Sequence, residues 1–428
     1  MLCPQIDLPI PPPSGICCGS IERSSFMNLE HGMQYLVNES RMVSGLSVTY
    51  GCADCAENRI LGNAREIVPD QDGFTSFPAP LTEDSIYDLA SLTKCFTSIL
   101  AMLLIREHRL DPDAPPSLYE PKFVHLGSIP IMDILSFRTG LNTPGRIDDA
   151  PSPEEGLRRL FEIEPAPLPR IRIYSDMHAM IIARVLAAAS GKPYLSLLEE
   201  RILKPLGMRE TTTKPDKNRC LDYRFEHRLV EGQWQVSKGE IGIVHDPKTA
   251  LLQPACLDCC GHAGLFSTQA DMQRFAQGLL SGELLTMDEL RYMGTNRTGE
   301  VYPDGTYRQY LGCLCFSKHP VQRLSEVPTW MGPHTIGLSG FTGNHLAIDP
   351  DSGTFVFYLG NRVHHRLTRI LPLVEDAYEA VGLSPDGTGI LQGPDGFPTP
   401  SSVRYVYFKD QCLGNPIGDR MRDLGWLH

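Results

Sequence analysis

The stretch Ile86–Ile105, IYDLASLTKCFTSILAMLLI, changes character at Ser91. Beyond it Phe96, Ile99, Leu100, Leu103 and Leu104 recur at helical spacing, and Met102 and Ile105 widen the stripe until little of the surface is polar. The spacing predicts a helix that begins near Ser91 and is buried nearly all round. Ser91 and Lys94 stand at its head as the only S-x-x-K of the chain. Residues i and i+3 share a helix face, so hydroxyl and amine project into the same space one turn apart. The free N–H groups of a helix start favour negative charge there. A lysine against an apolar wall is expected to lose hydration and with it basicity, which would let it take the serine proton. The bland alternative is an N-cap serine followed by a solvated lysine, and four letters alone do not separate the two.

Working outward, 27–42 is predicted helical, with Met33, Leu36 and Val37 on one face. Leu46–Tyr50 and Arg59–Leu61 read as strands of a hairpin. Helical patterns recur at 153–162, 177–189, 193–204 and 269–280. Strand patterns return at Gly343–Ile348 and Gly353–Leu359, joined by a turn through Pro350, and a last helix is predicted over 364–382. That order implies an α+β protein whose sheet is built from both ends of the chain, with a helical lobe inserted between. Residues 1–25 read as a Pro/Gly-punctuated tail and 26–382 as a two-lobed body. Residues 383–428 read as an appended extension with one strand candidate, Val403–Phe408.

Two further motifs sit where side chains could meet Ser91. Tyr174-Ser175-Asp176 directly precedes the helix predicted over 177–189, whereas the competing Tyr302-Pro303-Asp304 lies in an Asp-Gly turn and precedes none. Gly337–Gly343, GLSGFTG, opens the late strand region, and its Gly340 would let another group lie close against the strand edge.

Together, IYDLASLTK (86–94), YSD (174–176) and GLSGFTG (337–343) resemble the nucleophile, second and strand elements of serine β-lactamases, D,D-peptidases and their esterase relatives. VHDP (244–247), GHAGLFST (261–268), GFTGNHLAIDP (340–350) and LGNRVH (359–364) resemble segments of the esterase-type branch, in the same order. The resemblance covers about residues 28–382. It implies a β-lactamase/transpeptidase-like fold, an antiparallel sheet flanked by terminal helices plus an inserted all-helical lobe, with the active site between the lobes. It also implies Ser91 as nucleophile, Lys94 and Tyr174 as its proton relay, and the backbone N–H groups of Ser91 and Phe341 as an oxyanion hole. Asp176, Leu338, Ser339, Gly340, His245 and His262 would line the substrate, although a hydrogen-bonded structural role is the weightier reading of both histidines. One departure stands out: the strand position that carries Lys or His in the family is Leu338, and His334 is too far upstream in register to replace it. Leucine there implies an apolar cleft wall and a preference for uncharged acyl donors.

Composition bounds the rest. The chain has 428 residues and a net charge of −12, which argues against a nucleic-acid surface. The N-terminal MLCPQIDLPIPPP does not read as a secretory signal and no apolar run is long enough to span a membrane, so a cytoplasmic protein is expected. Its 13 cysteines are therefore expected as reduced thiols. A zinc site built from Cys52-x-x-Cys55 and Cys256-x-x-Cys259-Cys260 is the outsider, and no metal or organic cofactor is expected. The expected partners are a small-molecule acyl donor, carrier- or CoA-linked forms included, and water, an alcohol or an amine as acceptor. Three functions stay open: a serine hydrolase of esters or thioesters, an acyltransferase with the same residues, and a catalytically inactive binding protein.

Overall fold

The computed structural model describes residues 28–427 apart from 72, 254–258, 321–325 and 373–375. The expected tail at 1–25 and Cys256 lie outside the described residues. Six antiparallel strands form the main sheet, in the order Ile336–Ser339, His345–Asp349, Thr354–Gly360, Gly45–Cys52, Ala56–Asp70, Gly73–Pro80. The two ends of the chain meet in its middle, where Leu46 pairs with Gly360 and Cys52 with Thr354. Alternation sorts the side chains between two cores. Leu346, Ile348, Phe355, Phe357 and Leu359 face the helical lobe, whereas Leu46, Val48, Tyr50, Ala347, Val356 and Tyr358 face the terminal helices.

The lobe between the outer strands is organised by the buried helix Thr93–Arg106. Its Phe96 stacks on Phe275 of Gln269–Leu280 with ring centroids 4.2 Å apart, tying this helix to the helix that lies on the sheet. Asp176–Ser190 starts at Ser175, whose side chain caps Met177 N–H, and ends at Gly191 in the left-handed region, φ 66°.

Three expectations fail, each for a tertiary reason. Residues 364–382 are not one helix: Leu367–Leu371 is a strand parallel to His227–Val230, and only Ala377–Ala380 is helical. Pro372 denies a continuous helix an N–H, and Leu367 and Ile370 pack in a small core with Leu229. Val403–Phe408, rich in β-branched and aromatic residues, reads as a strand, yet Tyr405–Lys409 is helical and leads into the helix Asn415–Asp423. Burial overrides the local pattern, since Tyr405, Phe408, Leu413, Ile417 and Met421 pack with Leu29, Met33 and Leu36 beneath the sheet. The 383–428 stretch thus carries the terminal helix that closes one face of the body. Finally, Cys52 and Cys55 form a disulfide across the turn between the first two strands, so these two thiols are neither reduced nor available to zinc. Among the described residues no single helix is long and apolar enough to cross a membrane.

Candidate active site

Every residue from Ser85 to Leu104 is buried except Ser91. The turn that turns it outward is held by Asp88, at the end of the short strand Ile86–Asp88. Its carboxylate accepts the N–H of Ala90 at 2.9 Å and of His245 at 2.7 Å. Its carbonyl accepts Thr342 Oγ1 and Asn344 Nδ2 at 2.9 and 2.6 Å. Burial raises the Asp88 carboxyl to about 6 despite these donors. Ala90 sits at φ 47°, a left-handed conformation that costs a non-glycine residue about 1 kcal/mol and persists because both neighbours are pinned. Gly340 presses against this turn: a Cβ there would come within 2.9 Å of Leu89 O and 3.3 Å of Ala90 Cβ. Its lack of a side chain therefore serves the approach of the strand to the turn that carries Ser91.

Lys94 Nζ donates to Ser91 Oγ at 2.9 Å and to His262 O at 3.2 Å, and pairs with Asp176 Oδ1 at 2.7 Å. Burial lowers the Lys94 pKa, but the Asp176 carboxylate and the Tyr174 phenol outweigh it and hold the ammonium above its ordinary value. The expectation of a lysine whose pKa is lowered by burial is thus corrected: the resting lysine is protonated. Tyr174 is set by Gln309 Oε1, which accepts the N–H groups of Ile173 and Tyr174 at 2.8 and 2.9 Å. Its ring stacks between Phe137 and Phe316, and Lys94 Nζ lies 5.0 Å from its centroid. Burial raises the phenol's pKa, with Lys94 and Ser91 pulling the other way.

Asp176 is expected to touch substrate, yet it is 2 % exposed and locked between two ammonium groups, Lys94 and, through Oδ2 at 3.1 Å, Lys248. Lys248 also meets Asp246 at 3.2 Å, and Asp246 accepts His262 Nε2 at 2.8 Å. Both aspartates are held below the usual carboxylate range by these cations, against the push of burial. Asp246 and Lys248 were missed in sequence. The available signal was Asp246-Pro247, an N-cap followed by proline at the first helical position, which fixes Pro247–Leu252 and aims Lys248 inward. Asp176, Asp246 and His262 could chelate a cation by distance, with ligand atoms within 4.8 Å, but the two lysines already supply positive charge there.

The remaining expected residues divide. Phe341 is half-buried, next to Gly340 in sequence, stacked on His245 at 5.4 Å, with the guanidinium groups of Arg228, Arg362 and Arg369 5.7, 5.1 and 5.0 Å from its ring centroid. His245 also reaches Glu226 at 3.1 Å. His262 is buried, serving through its carbonyl and its bond to Asp246. Leu338 and Ser339 do not line a cleft. Leu338 is wholly buried in the helical-lobe core, and Ser339, one residue on, points through the other face of the sheet to Glu326 and His345.

The beta-lactamase family model matches residues 68–378. A protein of Salmonella gallinarum called a putative D-alanyl-D-alanine carboxypeptidase is 28% identical over 360 residues, which span 74% of this chain and 78% of that protein. Among solved structures, simvastatin synthase of Aspergillus terreus superposes with a TM-score of 0.61 at 15% identity, covering 92% of this chain and 97% of that one. A D-amino acid amidase of Ochrobactrum anthropi gives 0.55 at 20% identity, over 78% and 91% of the two chains. The match over residues 68–378, with the ordered sheet and lobe described above, makes this chain a member of the beta-lactamase family and an enzyme of its serine hydrolase and acyltransferase kind.

Proposed function

We propose that the enzyme transfers acyl groups from small uncharged esters or thioesters through an acyl-enzyme on Ser91. The observation that carries this reading is the hydrogen bond from the buried Lys94 ammonium to the one accessible residue of its segment. Ser91 Oγ attacks the acyl carbon, its proton passes to the Lys94–Tyr174 pair, and the pair returns it to the departing alcohol or thiol. Asp176 holds Lys94 protonated, so the pair acts as one unit and sheds one proton before it accepts that of Ser91. Water, or an alcohol or amine, then takes the acyl group.

A second reading has its own support. Arg228, Arg362 and Arg369 around Phe341 place positive charge beside the nucleophile turn, as a donor with a carboxylate would require and as the name of the carboxypeptidase relatives suggests. Intact mass spectrometry decides between them, with the protein mixed with nitrophenyl esters, thioesters, a cephalosporin and a D-Ala-D-Ala peptide. A rapid acyl adduct on Ser91 from the esters and a slow one from the anionic donors is expected. Faster adduct formation from the cephalosporin or peptide would favour the carboxylate reading and overturn the first.

A further inference from the structure

A histidine–carboxylate cluster that shares no residue with the nucleophile site joins three segments distant in sequence. His227, His365 and Asp395 each bring one ligand atom within 4.8 Å of the others. His365 Nε2 lies 2.9 Å and His227 Nε2 3.4 Å from the same oxygen, Asp395 Oδ2. Donors around a tetrahedral zinc ion at ~2.0–2.1 Å are ~3.3 Å apart, so these spacings are close to those one ion sets.

The hydrogen bonding prepares the cluster for a cation. His227 Nδ1 is 2.7 Å from Phe225 O, and a carbonyl only accepts, so the ring hydrogen is on Nδ1 and the Nε2 lone pair faces Asp395. That nitrogen is fully buried without a hydrogen-bond partner. Two lone pairs facing each other repel, and a cation between them removes the repulsion. Asp395 Oδ1 is held by Phe397 N–H at 2.9 Å, which leaves Oδ2 to the histidines. Phe74 and Phe397 pack edge-on to His365 and Trp234 edge-on to His227, a low-dielectric surround in which an imidazolium is costly. On one side Asp395 borders an open recess of about 440 Å³ lined by Phe74, Arg224, Phe225, Val236 and Lys238.

We propose that His227, His365 and Asp395 bind one divalent transition-metal ion of the zinc type, which staples the C-terminal extension to the catalytic body. Asp395 lies in the segment between the strands Ile390–Gln392 and Pro398–Pro400, beyond residue 378 where the family match ends, while His227 opens a strand of the body. The site needs no part of the acyl chemistry. His365 Nε2 donates to the carboxylate in the metal-free protein, and on binding the ring hydrogen moves to Nδ1, so that a neutral imidazole presents Nε2 to the ion.

The test uses Co²⁺ and Zn²⁺ on the chelator-treated full chain. One Co²⁺ per chain, with d–d absorption and quenching of Trp234, is expected, as is a Zn²⁺-dependent rise in Tm of ~3 °C. Both should disappear in His227→Ala and in Asp395→Asn. The latter keeps the acceptor for Phe397 N–H, so it reports even where the alanine variant does not fold. No stoichiometric binding, binding unchanged in Asp395→Asn, or a thiolate-to-cobalt charge-transfer band would each overturn the proposal.

Discussion

Two clusters of buried charge sit on opposite faces of the sheet, and they behave differently. On the lobe side Lys94, Asp176, Lys248, Asp246 and His262 form a connected chain. On the side of the terminal helices Glu326 meets Lys409 at 3.8 Å and His345 at 3.6 Å, Ser339 donates to Glu326, and Lys409 pairs with Asp410 at 2.9 Å. Burial and opposite charge shift pKa values in the same directions in both: Lys94 and Lys409 are raised, Asp176 and Glu326 lowered, each against the effect of desolvation. What differs is where the contacts end. The lobe-side chain reaches a half-buried hydroxyl, Ser91, whereas the other joins Lys409 to two carboxylates, Glu326 and Asp410. Perturbed charge by itself is therefore no mark of the proposed site; what sets it apart is an ammonium hydrogen-bonded to an accessible hydroxyl.

The comparison breaks most sharply at Ser91. Ser91→Ala should lower turnover of an activated ester by at least ~10³-fold with the melting profile unchanged, because a half-exposed hydroxyl is lost and no buried charge is stranded. Activity that survives this change would move the reaction elsewhere.

Lys94→Met and Tyr174→Phe should each slow acylation by ~100-fold, read by stopped-flow on the same ester. The double variant should lose far less than the product of the two, since both residues handle one proton. Multiplicative losses would show that they are not one relay.

Lys409→Met sharpens the contrast from the other face. It strands Glu326 in the second core and should cost about 3–5 kcal/mol of stability by denaturant titration, while kcat/KM of the folded fraction stays put. A drop in kcat/KM would tie the two clusters together.

The smallest expected effect is a shift along the pH axis. Lys94 is held above its ordinary value by Asp176, so kcat/KM should still be rising on the alkaline side of neutrality, as the Lys94–Tyr174 pair loses its proton. Asp176→Asn removes the anion and leaves burial, which lowers the Lys94 pKa, so this limb should move to lower pH. A limb that stays in place would mean that another group sets it.

Much of this was legible in sequence. The helix after Ser91 announces itself by apolar residues on every side, and Ser175 and Gly191 mark the limits of the helix that carries Asp176. The order of strands, helices and strands was enough for the α+β architecture. Where reading failed, two local patterns were equally good. VRYVYF has the β-branched and aromatic content of a strand, and the apolar spacing around Leu367 suits a helix until Pro372 is weighed.

The sequence by itself determined which segments carry Ser91, Lys94 and Tyr174, because motif spacing and periodicity are properties of the chain within a turn or two. Tertiary structure alone decided their electrical state and direction. Lys94 is kept protonated by Asp176, 82 positions away in sequence, and Asp176 is shared with Lys248, a further 72 on. Leu338 and Ser339 were expected to face substrate together. The pleat sends neighbours to opposite faces, and both faces of this sheet are covered, one by the lobe and the other by a helix from the last 24 residues. Burial and opposing charge act through space, so no window along the chain contains them.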